Sequence, residues 1–386
     1  MEFDLTEEHR LIQATVRDFA AKEIMPVAAR LDQDARYPSE IIAHAAALGL
    51  MGLMVSEEYG GAGMDSLANA IVQEELARAS AGVQVIISVN NSLVCDPIVR
   101  FGTEEQKRRY LPALADGRSV GCYCLTEPAA GSDAMALETR AERRSGEWVI
   151  SGRKLFVTNG VEADLCVVYA RSEDAPGARG VSAFLVEKSF PGVQVGKVEH
   201  KLGIRCSSTA EILLDDCRVP AENLLGRRGE GGKIALATLD GGRIGIAAQA
   251  IGLGRAALEE SAAHVRERRV FGRRLSEFQA TQWALADMAT RLDAARLLAY
   301  RAAWLRDQGE RCTREAAIAK LIASEAAMWA THRAVQLFGG YGYVQDYPLE
   351  RYFRDAKITE IYEGTSEILR LVISRDLLGS RRSGPA

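Results

Sequence analysis

The stretch Ser119-Val120-Gly121-Cys122-Tyr123-Cys124-Leu125-Thr126-Glu127-Pro128 marks the change of pattern that decides the fold. Ahead of it, apolar residues recur at helical spacing, and after it short β-type runs are separated by Gly, Pro, Ser and Asp. Helical patterning returns near residue 233. Strands and helices do not alternate, so a doubly wound sheet is not expected. The order predicts an α+β protein with an N-terminal helical domain (1–119), a middle antiparallel β domain (120–229) and a C-terminal four-helix bundle (230–386).

Local signals predict the individual elements. Thr6 is placed to cap a first helix, and Thr103 and Gln106 have capping-box spacing for a later one. Six short runs predict strands over residues 121–125, 147–150, 165–170, 181–187, 193–198 and 210–214. Three long Ala-rich segments predict helices over residues 233–264, 276–306 and 313–338.

Composition narrows the functional class. The chain has 386 residues, is 26% charged and carries a net charge of −4, and its Lys and Arg are dispersed, so we expect no nucleic-acid partner. No apolar run looks long enough to span a bilayer, so no membrane role is expected. The acidic start, Met1 to Asp4, lacks the pattern of a signal peptide, which favours a cytoplasmic location.

The cysteines and histidines do not predict a metal site. Seven cysteines are scattered in apolar contexts, as expected for reduced, buried thiols. Cys122 and Cys124 are separated by one residue, not by the two of a zinc or redox knuckle, and the five histidines form no ligand cluster. We therefore expect no metal.

One glycine-rich match is interpreted as packing. Gly252 and Gly254 open a relaxed dinucleotide fingerprint, but that motif needs a strand before it and a helix starting at it. Here helical patterning runs on both sides, so we expect these small residues to let another helix approach closely.

Residues 361–368, IYEGTSEI, form the strongest candidate for chemistry. Glu363 precedes a glycine, and Thr365 and Ser366 precede an apolar run, as at a helix N-terminus. A carboxylate on such a short loop is well placed to act as a base. A turn glutamate facing water is the alternative, and spacing alone favours it, because turn carboxylates are common.

Four further stretches gain meaning together. In the first, a strand runs into the turn at residues 126–133, whose backbone N–H groups and hydroxyls are suited to a flavin edge and a pyrophosphate. The others are residues 154–159 (KLFVTN), 268–272 (RRVFG) and 336–340 (QLFGG). In this order, closed by residues 361–368, they resemble the acyl-CoA dehydrogenase family over essentially the whole chain. Residues 88–93 and 238–246 most resemble the short-chain, butyryl-type branch of this family.

The resemblance implies α,β-dehydrogenation of an acyl-CoA thioester with FAD. Glu363 would take the α-proton while a hydride leaves the β-carbon for the flavin. Burial beside apolar substrate is expected to raise the pKa of Glu363 and strengthen it as a base. The backbone N–H of Glu363 and a flavin hydroxyl would bind the developing enolate oxygen. Electrons would pass to an electron-transferring flavoprotein, and the family's usual homotetramer is expected.

The same resemblance assigns the binding residues. Those expected to bind FAD are Tyr123, Cys124, Leu125, Thr126, Gly131, Ser132, Phe156, Val157, Thr158, Arg268, Gln279, Gln336, Leu337, Phe338, Gly339, Gly340, Thr365, Ser366 and Glu367. Arg268, Gln279 and residues 336–340 would reach the adenosine diphosphate part of FAD in a neighbouring subunit. Those expected to bind substrate are Ser132, Asp240, Gly241, Gly242, Arg243 and Gly364.

Two departures from the family pattern stand out. Phe156 takes a position where members usually have Trp, which is expected to loosen flavin packing or change the approach of the electron acceptor. Isovaleryl-type members place the base immediately before the arginine that matches Arg243, where this chain has Gly242. Glu363 is therefore the only credible base.

Other functions stay open at this point. Within the fold, these are an oxidase that uses dioxygen and a dehydrogenase for branched, aromatic or dicarboxylic thioesters. The dicarboxylic option is weakened because no arginine lies between Val83 and Cys95. An alternative from another functional class is a non-catalytic flavin-binding assembly protein, since fold alone does not define function.

Overall fold

The computed structural model describes residues 4–379, so all of the acidic start except Asp4, and residues 380–386 of the predicted C-terminal bundle, lie outside the described residues. The predicted caps are confirmed. The Thr6 hydroxyl accepts from the His9 N–H, and Thr103 and Gln106 form a capping box. The N-terminal helices are α1 (Glu7–Phe19), α2 (Ala28–Gln33), α3 (Ser39–Ala47), α4 (Ser66–Ala79), α5 (Ala81–Ser88), α6 (Asp96–Phe101) and α7 (Glu104–Ala115).

One continuous helical run crosses the centre of this part. Helix α5, a π-helical segment Val89–Cys95 and α6 follow one another without a break. By length and composition, Ala81–Phe101 is long and apolar enough to cross a membrane, which corrects the expectation that no run reaches that length. However, 94% of its most apolar window is buried inside the protein, as in the core helix of a globular fold.

The middle of the chain forms one sheet of eight strands. In chain order they are β1 (Gly121–Cys124), β2 (Arg140–Arg144), β3 (Glu147–Thr158), β4 (Leu165–Arg171), β5 (Val181–Glu187), β6 (Val193–Val198), β7 (Thr209–Pro220) and β8 (Leu224–Leu225). The spatial order is β6-β7-β3-β2-β4-β5-β8, and β1 pairs with β4. All six predicted strands are present.

The sheet is mainly antiparallel, as predicted, with two exceptions. Strand β1 runs parallel to β4 with Cys122 opposite Cys166, and β2 touches β4 in parallel at one position. The parallel pairing is possible because the β2–β3 hairpin separates β1 from β4 in the chain. The hairpin brings the chain back so that β4 runs beside β1 in the same direction. Strand β2 was missed because its sequence, RAERR, is charged and mostly exposed and shows little apolar alternation.

The C-terminal part is helical again. Its helices are α8 (Gly231–Glu267), α9 (Gln279–Asp307), α10 (Thr313–Phe338), α11 (Leu349–Ile358) and α12 (Ser366–Leu377). A short hairpin of β9 (Arg269–Val270) and β10 (Arg273–Arg274) separates α8 from α9.

The glycines of the relaxed fingerprint pack inside α8, as predicted. A Cβ added at Gly252 would lie 2.4 Å from the Glu74 carbonyl oxygen of α4. One added at Gly254 would lie 2.4 Å from Leu292 of α9. Each glycine therefore permits a close helix contact, and neither opens a nucleotide site.

Candidate active site

Glu363 lies on a tight turn between α11 and α12. Its backbone φ is +53° and that of Gly364 is +101°, so both residues adopt left-handed conformations. Thr365 caps α12, and its hydroxyl accepts from the Ile368 N–H at 3.3 Å. This geometry buries the Glu363 Oε2 atom instead of turning it to water. The alternative of a solvated turn glutamate is thereby excluded.

Residues from several elements enclose the Glu363 carboxylate. It lies against the bare Cα of Gly242 in α8, and Leu93 of the π-helical segment approaches the same point. On the turn itself, the Tyr362 hydroxyl donates to the Gln249 side chain. Burial, Tyr169 and Glu363 together raise the pKa of the nearby Tyr123 phenol. Four separate elements thus meet around one carboxyl group.

Two cations stand beside this turn. Arg243 of α8 lies 3.5 Å through Nε from the Glu363 carbonyl oxygen, and Lys320 of α10 donates through Nζ to the Gly364 carbonyl oxygen at 2.5 Å. Burial raises the pKa of the Glu363 carboxyl to about 7, while Lys320 and Arg243 oppose that rise. Desolvation therefore outweighs the two charges, and the carboxyl titrates near neutral pH.

Four of the six predicted substrate residues lie together on α8. Asp240 accepts from Arg243 Nη1 at 2.9 Å and from the Thr313 hydroxyl at 2.7 Å. A Cβ on Gly241 would collide with the Arg306 guanidinium. Gly242 and Arg243 contact the Glu363–Gly364 turn, and Asp240 is connected to the turn through Arg243, whereas Gly241 faces Arg306.

The predicted flavin residues of β1 and β3 also come together. The Leu155 N–H donates to the Thr126 carbonyl at 2.8 Å, which joins the turn after β1 to the bulged part of β3. At that bulge Phe156 has a φ of +55° and leaves 63% of its surface exposed. Val157 is buried and Thr158 is half-buried, whereas Gly131 and Ser132 are exposed. The exposed ring and open turn fit a flat, charged cofactor such as FAD.

A buried ion pair supports this region, and the sequence analysis missed it. Lys154 Nζ lies 2.6 Å from Glu127 Oε1, and both side chains are almost fully buried. Glu127 also accepts from the backbone N–H groups of Glu138 and Thr139. The pair connects the two flavin-binding stretches. The detectable signal was a glutamate just after the apolar run of β1 and a lysine just before the apolar run of residues 155–157.

The remaining predicted FAD residues form a second group far from Glu363. Arg268 stacks over Tyr341 at 5.5 Å, and Phe338 stacks on His264 at 4.0 Å. Gln336 and Gly339 are exposed beside them, as are Gly340 and Gln279, while Leu337 is half-buried. Lys320 and Gln336 are sixteen residues apart on α10, which is about 24 Å along a helix. Within one chain this group therefore lies far from the Glu363 turn.

Two buried polar atoms near the turn have no hydrogen-bond partner within residues 4–379, namely Glu363 Oε2 and Ser366 Oγ. Unpaired buried polar atoms are costly, and they are uncommon except where a ligand completes the site. Thr365 is half-buried and Glu367 is exposed next to them. The residues present fit a site that a polar ligand and a cofactor complete.

Lys320 is a further residue that sequence reasoning missed. Its side chain is fully buried on the apolar face of α10, beside Ala316, Ala317 and Leu321. A lysine at helical spacing within an alanine stripe was the available signal.

Two other clusters are weaker candidates for function. The thiols of Cys122, Cys124 and Cys166 lie within 4.8 Å of one another, a grouping that spacing in the chain did not predict. They are enclosed by the apolar core of the sheet, where neutral thiols pack well. A cavity of about 440 Å³ near Arg255 holds charges that pair with each other, chiefly Arg255 and Arg296 with Glu74. Both clusters have a structural explanation.

Comparison with known protein families covers almost the whole chain. Residues 6–118 match the acyl-CoA dehydrogenase N-terminal domain, 122–217 the middle domain and 229–378 the C-terminal domain. A curated relative, "Acyl-CoA dehydrogenase, short-chain specific" of Clostridium acetobutylicum, is 50% identical over 97% of this chain and 99% of its own.

Solved structures of similar fold lead to the same family. A butyryl-CoA dehydrogenase of Megasphaera elsdenii has a TM-score of 0.96 and 43% identity, covering 98% of this chain and 100% of its own. A chain described as "Electron transferring flavoprotein of Acidaminococcus fermentans: Towards a mechanism of flavin-based electron bifurcation" has a TM-score of 0.97 and 48% identity, with the same coverage. A glutaryl-CoA dehydrogenase of Mycobacterium smegmatis in complex with FADH2 has a TM-score of 0.93 and 33% identity, covering 98% of this chain and 97% of its own.

Proposed function

Because the chain belongs to the acyl-CoA dehydrogenase family and is an FAD-dependent oxidoreductase, we propose that it oxidises a short-chain acyl-CoA to the trans-2-enoyl-CoA. Glu363 is the proposed base. The single observation that carries this proposal is the buried Glu363 carboxyl, whose pKa is raised to about 7 by burial. A thioester α-C–H is a weak acid, so a desolvated and therefore stronger carboxylate base is what the reaction needs.

The proposed chemistry divides between this chain and its cofactor. Glu363 Oε2, which has no partner among the described residues, accepts the α-proton. FAD, when bound, supplies the electron sink that takes the hydride from the β-carbon. The Glu363 N–H is the proposed donor to the enolate oxygen that develops on the thioester. Arg243 and Lys320, both beside the turn, favour the anionic form of the base.

The proposed short, uncharged acyl group has support on two sides. Curated relatives at about this level of similarity are named as short-chain specific. Residues 83–95 are all buried and include no Lys or Arg, and Leu93 reaches the Gly242–Glu363 contact, so this wall of the site offers no cation. A buried wall without a cation disfavours a second carboxylate on the substrate.

Binding of FAD across subunits in a homotetramer is also proposed. The group around Arg268, Gln279 and residues 336–340 lies too far along α10 to share one cofactor end with Glu363. Large apolar side chains are exposed on the same part of the chain, including Phe271 at 97%, Tyr343 at 84% and Trp283 at 64%. Exposed aromatic groups of this kind are typical of subunit interfaces.

An electron-transferring flavoprotein is the proposed electron acceptor, supported by the description of the Acidaminococcus fermentans neighbour. The cytoplasm is the proposed location, supported by seven cysteines that are all free. Rapid reoxidation of the reduced enzyme by dioxygen alone would favour the oxidase alternative instead.

The decisive experiment is an anaerobic titration of the flavin-loaded protein with acyl-CoAs of varied length and branching, followed by flavin absorbance. We expect butyryl-CoA to bleach the flavin of the wild-type protein. Glu363→Gln is expected to bind butyryl-CoA yet reduce its flavin several orders of magnitude more slowly. Near wild-type reduction by this variant would remove Glu363 as the base.

A further inference from the structure

Lys320 is a buried cation. Its side chain has no exposed surface, and the carboxylates of Glu363 and Glu360 act on it through their charge and not through a direct ion pair. Instead, Nζ donates to the Gly364 carbonyl oxygen at 2.5 Å. Lysine is among the residues least often buried, because the desolvated ammonium group is costly unless its position is needed.

The carbonyl that Lys320 holds belongs to a conformationally demanding turn. Glu363 has a φ of +53°, which is uncommon for a residue with a side chain, and Gly364 follows at +101°. Such a turn persists only where its surroundings hold its peptide groups in place. The ammonium–carbonyl bond connects the turn to α10, a long helix that packs against α12.

We propose that Lys320 is the positioning residue for the base: by binding the Gly364 carbonyl, it holds the left-handed turn that directs the Glu363 carboxylate toward Gly242. This inference rests on the proposed function of Glu363. Lys320 acts through Glu363, because its ammonium group bonds to the backbone of the turn.

The charge of Lys320 has a second consequence. The groups that face Glu363 are Lys320 from α10, Arg243 from α8 and Tyr123 from β1, with Tyr362 beside it on the turn. Of these, Lys320 opposes the rise in the pKa of Glu363 most strongly. In turn, burial lowers the pKa of Lys320 to about 8, so the ammonium form dominates near neutral pH. Removing this charge must raise the pKa of Glu363 further.

The test compares three variants, each loaded with FAD and mixed anaerobically with butyryl-CoA across a range of pH. Lys320→Met removes both the bond and the charge. We expect the midpoint of the pH–rate profile to move up by about one pH unit, as for loss of a nearby opposite charge, and the limiting rate of flavin reduction to fall by roughly tenfold or more. Lys320→Gln, which keeps a donor but no charge, is expected to show the same midpoint shift with a smaller loss of rate. Lys320→Arg is expected to keep the wild-type midpoint.

Controls separate positioning from simple destabilisation. Ser324→Ala removes a buried hydroxyl one turn further along α10, where it bonds only to the Leu321 carbonyl. It is expected to leave the pH–rate midpoint unchanged. Lys320→Gln and Lys320→Arg keep a polar group at the buried site, so the comparison stands even where Lys320→Met does not fold.

The outcomes also separate this inference from the assignment of Glu363. If Glu363→Gln abolishes flavin reduction while folded Lys320 variants keep the wild-type midpoint and rate, only the role of Lys320 is wrong. If Glu363→Gln stays active, the base itself is wrong. In the Glu363→Gln background, Lys320→Met is expected to have no further effect on rate, because it acts through the missing carboxylate. An additional loss there would contradict the inference.

Discussion

The carboxylate of Glu363 fills the space that a side chain on Gly242 would need. A Cβ built on Gly242 would lie 2.0 Å from Glu363 Oε2. The two positions are 121 residues apart in the chain (363 − 242) and come from α8 and the α11–α12 turn. Position 242 of α8 therefore needs a glycine so that the Glu363 carboxylate can occupy this space. The glycine also means that position 242 itself offers no base.

Gly242→Ala tests that requirement. The added methyl group meets the end of a flexible side chain and Leu93 Cδ2 at 3.0 Å, so the fold is expected to survive. The displaced carboxylate should slow flavin reduction by about 100-fold, the scale of a 1 Å misplacement at a reacting centre. Stopped-flow reduction by butyryl-CoA measures the rate, and thermal unfolding checks the fold. Gly254→Ala, a crowded glycine of α8 away from Glu363, is the matched control and is expected to lose stability instead.

The pH dependence of the reaction follows from the raised pKa of Glu363. Because burial brings that pKa to about 7, the free enzyme holds a growing fraction of carboxylate between about pH 6 and pH 8. We expect kcat/KM for butyryl-CoA to rise through this window and then level off. A profile that is already flat at about pH 5 would show that the carboxyl is not desolvated.

Glu363 should also cost stability at alkaline pH. Its folded pKa of about 7 exceeds the ordinary 4.5, so the folded state binds the proton more tightly and loses stability as pH rises between these values. Glu363→Gln avoids this loss and is expected to be more stable than wild type at about pH 8, by at most about 3 kcal/mol. Near pH 4 the two proteins should unfold alike. Thermal unfolding at both pH values measures the difference.

The buried pair of Lys154 and Glu127 supports the flavin-binding stretches. Burial would raise the pKa of Glu127, but Lys154 and its hydrogen bonds lower it, so the carboxylate is charged. Lys154→Met leaves that charge unpaired and should cost about 3–5 kcal/mol of unfolding free energy. Urea denaturation measures this cost, and the double variant Lys154→Met/Glu127→Gln is expected to recover part of it. Full stability of the single variant would show that water replaces the pair.

Assembly is tested at Phe271, which is 97% exposed within one chain. If this residue packs against a neighbouring subunit, Phe271→Ser should favour smaller species and weaken FAD retention. Light scattering after size exclusion, with the flavin-to-protein ratio of each peak, measures both. Leu11→Ser, at an exposed leucine on α1, is the matched control and is expected to leave assembly unchanged.

Much of the fold followed from local sequence signals. Helix α10 runs from Thr313 to Phe338, as predicted, and the caps at Thr6, Thr103 and Thr365 are present. These features depend on residues within a few positions of one another, where hydrogen-bonding and periodicity rules apply directly. The division of the chain at residues 119 and 229 stays a prediction.

The errors in the fold have a common cause. Strand β2 forms without an apolar pattern of its own because it pairs with its neighbours β3 and β4. The parallel pairing of β1 with β4 depends on the path of the intervening hairpin. The apolar run Ala81–Phe101 is a core helix only because the rest of the chain covers it. A short window of sequence does not show which distant segments will pair with it or bury it.

The sequence by itself determined the helix–strand–helix order, the capped helix after residue 363 and the choice of Glu363 over Gly242 as the candidate base. Only the tertiary structure decided that the Glu363 carboxyl is buried with a pKa near 7, and that Lys320 holds the Gly364 carbonyl. The reason is physical: a pKa depends on which charges and how much water surround a group in space. Here those neighbours come from α8 and α10, far from Glu363 in the chain.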